Sequence, residues 1–202
     1  MAYMLENPYW LVILAVLIIV TIFVCIKAGA ASSKRYKANE AVMKKLKEEN
    51  LLRNEFAVLT PSLIETAESA KLFKGIALNL QKKISDASDM NSEFEKLTQE
   101  QKEIYALSFV VEDGCEKLSE FFKANGQPLT GIALSAFNRL FDGRACEIFK
   151  SEYDAYDSDN ETASLIPAEI EKNNSEFAQL MTAEAICNAA GNFIKENIEK
   201  FI

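Results

Sequence analysis

With 202 residues, 49% of them hydrophobic and 26% charged, the chain has room for one compact domain and one membrane anchor, not for two full domains and a span. It has no histidine, which removes the commonest general base, the commonest zinc ligand and the usual pH switch. The net charge of −8 sets it against nucleic acid and anionic lipid, so no direct nucleic-acid partner is expected.

Residues 1–8 carry no lysine or arginine and read as a short extracytoplasmic terminus. Tyr9 to Ile26 then runs for eighteen residues without a charge. At 1.5 Å per residue this covers about 27 Å, close to a hydrocarbon core. Tyr9 and Trp10 at its start and Lys27 at its end suit the two interfaces, so residues 9–27 read as a single-pass transmembrane anchor in the lipid bilayer. The basic flank Lys27, Lys34, Arg35 and Lys37 places the C-terminal domain in the cytoplasm and the N-terminus outside the cell membrane. Thr21-x-x-x-Cys25 can seat a second helix, which would make the anchor a homo-oligomer contact.

Charge divides the remainder of the chain. Lys27 to Thr60 holds eight Lys and Arg against four Glu; Pro61 to Ile202 holds fourteen against twenty-five Asp and Glu. Residues 28–60 read as a basic joint followed by an amphipathic helix. Its stripe of Ala38, Ala41, Val42, Leu46, Leu52, Phe56 and Leu59 is wide enough to pack on a bundle.

Residues 61–202 form an acidic all-helical domain, which makes the fold class all-α, an anchor followed by a compact multi-helix domain. Thr60-Pro61 starts a helix predicted to reach Ile84. Ser92-Glu93-Phe94-Glu95 fits a capping box for a helix that Asp113-Gly114 kinks or ends. A short helix with Leu118, Phe121 and Phe122 stops at Asn125-Gly126. Pro128 opens the clearest amphipathic helix, with Phe137 in mid-stripe, and Asp142-Gly143 ends it. Helices over Ala145 to Tyr156, from Pro167 to about Met181, and from Ile186 to Phe201 complete the set.

Chemistry is scarce. There is no glycine-rich phosphate loop, nucleophile elbow or zinc spacing. Cys115, Cys146 and Cys187 form no framework and read as buried thiols. No enzyme activity, cofactor or metal is therefore expected. The densest charge is Glu152, Asp154, Asp157, Asp159 and Glu161. Asp157, Asp159 and Glu161 occupy positions 1, 3 and 5 of a calcium loop, but Thr162 and Ala168 stand where its Gly and Glu belong. These five acids are candidate contacts for a basic protein partner. The apolar alternative is a groove between the Pro128–Phe141 helix and the C-terminal helix.

One resemblance adds to this. Leu118-Ser119-Glu120-Phe121-Phe122, then Asn125-Gly126, then Ile132-Ala133-Leu134-Ser135-Ala136-Phe137 resemble the helical domain of unknown function typified by a bacterial DNA-mimic protein, over residues 104–156. Glu116-Lys117 replace that family's paired glycines. The resemblance implies an all-α fold and, in one member, an acidic surface that imitates DNA. The function expected is thus a membrane-anchored cytoplasmic helical module acting by protein–protein interaction, or alternatively an acidic DNA mimic that captures a basic DNA-binding protein.

Overall fold

The computed structural model describes residues 39–156 and 163–202. The chain divides into two compact units, Met1–Glu48 and Glu49–Ile202. In the first, residues 39–48 are helical, with Val42, Met43 and Leu46 about half exposed. The second unit begins earlier than Pro61, for a packing reason. Its first helical stretch, α1 (49–55), delivers Phe56 into the core at 1% exposure. Phe56 fits only because Gly75 has no side chain: a Cβ there would lie 2.2 Å from Phe56 Cδ2. Asn79 Nδ2 closes the joint by donating to the carbonyls of Arg53, Phe56 and Gly75 at 2.9–3.0 Å.

Thr60 then caps α2 (Pro61–Thr66), its Oγ1 accepting from the Leu63 amide. The single helix expected from Pro61 to Ile84 is broken, because Ala67 and Glu68 are extended and α3 (Ser69–Ser85) starts afresh. The break lets the Ser69 backbone meet α10 (Ala183–Glu196) at closest approach, opposite Gly191. Ser69 Oγ donates to Asn192 Oδ1 at 2.6 Å across the same contact.

The capping signal also lies elsewhere than expected. Asp89 caps the short α4 (Met90–Glu95), with Ser92 inside it. The reciprocal box is Thr98 with Gln101, and it opens α5 (Gln99–Phe109). Leu97 between the two helices is buried at 5% exposure and fixes where the chain turns. Replacing Thr98 with Ala removes the cap and should cost about 1 kcal/mol in a urea titration.

A π turn over Val110–Gly114 extends α5 to the Asp113-Gly114 pair, and α6 (Leu118–Ala124) ends at Asn125 as expected. Then come α7 (Leu129–Leu140), α8 (Arg144–Ala155) and α9 (Pro167–Leu180). The last helix stops at Glu196 and gives way to a 3-10 turn over Ile198–Lys200. Among the described residues there is no strand, and an isolated bridge joins Tyr156 to Ala163.

The core has two poles. α3 and α10 pack along their lengths through Leu72, Phe73, Ile76, Ile186, Ala190 and Ile194. α6, α7, α8 and α9 meet around the rings of Phe121, Phe122, Phe137, Phe149 and Phe177. α5 bridges the poles, packing on both α3 and α7.

Among the described residues no helix is long and apolar enough to cross a membrane, and this overturns the single-pass, cell-membrane localisation. α3, at 17 residues, carries four exposed lysines. Tyr9, Trp10, Lys27, Lys34, Arg35 and Lys37, and with them the anchor and its bilayer and homo-oligomer contacts, lie outside the described residues.

Candidate functional site

Glu152 and Asp154, two of the five acids proposed from the sequence, do not share a surface. Glu152 sits on the inner face of α8 and is fully buried, whereas Asp154, two residues on, is exposed. A helix rotates about 100° per residue, so neighbours two apart face away from each other. Asp157, Asp159 and Glu161 lie outside the described residues. Among the described residues no group of three or more acids and cysteines is placed to hold a metal.

Glu152 belongs instead to a buried polar cluster on the inner sides of α6, α8 and α9. Asn173 Nδ2 donates to its Oε1 at 2.8 Å. Beside it, Asn174 Oδ1 accepts from the Ser119 amide at 2.9 Å and Asn174 Nδ2 donates to Ser119 Oγ at 3.0 Å. Glu152 Oε2 has no partner among the described residues, and Tyr156 Oη stands near Ser119 outside hydrogen-bonding geometry. Burial pushes the Glu152 carboxyl above its usual range, against the pull of Asn173 Nδ2 and the Lys123 ammonium. The sequence could not show this. A Glu near an acidic run reads as surface, and only the phase of α8 turns it inward.

A second place is open to solvent. α7 ends at Leu140, Phe141 runs extended, and Asp142-Gly143 turns the chain into α8. Gly143 has φ +67°, a backbone that other residues adopt at a cost, so the turn is set by that glycine. With the end of α9 the turn frames an open groove of about 540 Å3, walled by Leu140, Phe141, Asp142, Arg144, Leu180 and Met181. Leu180 is 47% exposed there. The groove adjoins α9 rather than the C-terminal helix expected from the sequence.

Arg139 and Arg144, the only arginines in residues 61–202, both line it. Arg144 grips Glu176 through Nε and Nη2 at 2.8 and 3.1 Å and reaches Glu147 through Nη1 at 3.1 Å. Arg139 Nη2 lies 3.1 Å from the buried Glu103, and its guanidinium covers the Phe193 ring at 5.6 Å. Burial raises the Glu103 carboxyl above its usual range while Gln99 and Arg139 draw it down. Both arginines are thus pinned by carboxylates from other parts of the fold. Asp142 forms no ion pair among the described residues.

Among the described residues, the thiols of Cys115, Cys146 and Cys187 are held towards their less reactive protonated form. Burial pushes Cys115 up to about 11, with Cys187 nearby adding to it, and burial raises Cys146 and Cys187 as well. Cys187 is buried as expected, while Cys115 and Cys146 are part-exposed.

Fold and site together define an all-α protein with an acidic surface, a pinned-arginine groove and an interior carboxyl. No protein-family model, curated protein or solved structure matches the chain. The likeness of residues 104–156 to the DNA-mimic-like family stays at the level of the sequence pattern.

Proposed function

We propose that residues 49–202 act as a protein-interaction module whose docking surface is the groove between the α7–α8 turn and the end of α9. The observation that supports this is the pairing of an apolar floor with pinned arginines. Exposed Leu180 and the part-exposed Phe141 give a partner apolar surface to cover. Arg139 and Arg144 are held in place beforehand, so little side-chain freedom is lost on binding. The charge left at the rim is the Asp142 carboxylate, in a stretch that carries eleven more acidic than basic side chains. The reading is therefore a partner segment that is apolar where it enters the groove and basic where it meets Asp142, steered by the acidic body.

The test is photo-crosslinking from the full chain, with a benzophenone amino acid at Leu180 and, as a control, at the exposed Glu65. A single adduct from Leu180, absent from Glu65, is expected. Adding Asp142→Asn should weaken that adduct most at low salt, because rim charges act through screened attraction. Adducts from Glu65 alone, or from neither position, would remove the groove as the docking surface.

A further inference from the structure

Three oxygens of the buried polar cluster have hydrogen-bonding capacity left over, and they lie together. Glu152 and Tyr156 are one helical turn apart: the Tyr156 amide donates to the Glu152 carbonyl at 3.2 Å, so both side chains leave the same face of α8. That face is turned inward, and the two residues are 0% and 9% exposed. Glu152 Oε2 and Tyr156 Oη are both buried without a hydrogen-bond partner among the described residues. The third oxygen is Ser119 Oγ, brought beside Tyr156 by α6. Asn174 Nδ2 takes one of its acceptor positions at 3.0 Å and leaves its own proton to be donated. We infer that this corner of the fold is a binding site for one internal water, bridging Glu152 Oε2, Tyr156 Oη and Ser119 Oγ.

The need for a bridge does not depend on the carboxyl's proton. A carboxylate oxygen has lone pairs to satisfy, and a protonated one has an O–H to place; out of water, either costs free energy until it is bonded. Water donates and accepts at once, so it serves both forms. The Tyr156 and Glu152 oxygens make no direct bond to one another. Neighbouring polar groups beyond direct reach are the ones that water joins, and about three partners is the usual number for an internal water. Other occupants fit less well. A metal ion wants more oxygens and more charge than one carboxyl and two hydroxyls give, and among the described residues no three acids or cysteines converge to hold one. The Lys123 ammonium is held at the surface by Glu120 at 3.0 Å, with its side chain 46% exposed.

Such a water is a joint between three helices. α6 contributes Ser119, and α8 contributes Glu152 and Tyr156. α9 holds both sides, through Asn173 to Glu152 at 2.8 Å and Asn174 to Ser119. The rings beside it give no competing bonds: Tyr156 stacks on Phe122 at 5.7 Å, and Phe122 meets Phe149 at 5.2 Å. Exchange of the water with solvent therefore waits on these helices parting, which makes it long-lived.

Oxygen-17 magnetic relaxation dispersion on the full-length protein counts long-lived waters without interference from exchanging hydroxyl protons. Glu152→Met, Tyr156→Phe and Asn173→Leu combined remove two of the three partners, together with the amide that would otherwise lose its acceptor. The expected result is a dispersion amplitude lower by one water per molecule than in the wild-type protein. An equal amplitude in a variant that still unfolds cooperatively would overturn the site. If the triple variant fails to fold, high-resolution crystallography of the wild-type protein decides. A density peak within hydrogen-bond distance of all three oxygens upholds the water. A Tyr156 hydroxyl bonded directly to Glu152 Oε2, or three oxygens with no density between them, overturns it.

Discussion

Phe137→Ala should be among the most damaging single substitutions, costing about 3–5 kcal/mol in chemical denaturation. The residue is fully buried at the pole where four helices meet. Its ring stacks on Phe149 at 4.7 Å and 13° between planes, and touches Phe141 at 4.7 Å and Phe177 at 5.7 Å. Those rings come from α8, the α7–α8 turn and α9, so no single helix shift can refill the space. The same loss would leave Phe141 without its backing, and Phe141 is a wall of the groove. Groove binding should therefore weaken in the fraction that remains folded. A cost below about 1 kcal/mol would show that this pole collapses around the gap.

Gly191→Ala should also destabilise, by about 3 kcal/mol, although alanine is the better helix former by about 1 kcal/mol. The contest is settled by what the new Cβ meets. It would sit 2.0 Å from the Ser69 carbonyl oxygen and 2.4 Å from its carbon. Both are backbone atoms, and Ser69 is also tied to Asn192. Relief requires moving the start of α3 away from α10, the most extensive helix pair in the fold. At Gly75 the obstacle is a side chain, the Phe56 ring, rather than backbone, although that ring is itself held in the core. Thermal unfolding of the two variants tests the difference. A Gly191→Ala protein that gained stability would mean the helices are not this close.

Much of the helical order was legible because each helix carries its own local signal. Thr60-Pro61, Asn125-Gly126 and Asp142-Gly143 mark ends that lie within a residue or two of where they were expected. Two misreadings have one origin. The break at Ala67-Glu68 and the choice of Thr98 over Ser92 as the box are both decided by tertiary contacts, at Gly191 and Leu97. Thr98-Gln99-Glu100-Gln101 fits the box pattern as well as Ser92 to Glu95 does, so local reasoning had no means of ranking them. The site was harder to see. Exposure of Glu152 was inferred from the company it keeps in the chain, whereas helical phase and Asn173, twenty-one residues on, determine its setting. The groove mixes a turn with the distant end of α9, which no sequence window spans.

Asn79 has a mechanical consequence. Tension applied to the second unit at residue 49 runs through α1 and meets the core at Phe56. There one amide group holds three carbonyls, two of them on the strained side and one on α3. The load then passes sideways into the flank of a 17-residue helix instead of peeling a terminus turn by turn. Under a pulling force this clasp should behave as a shear joint, yielding late and all at once, and Asn79→Ala should turn it into one that unzips.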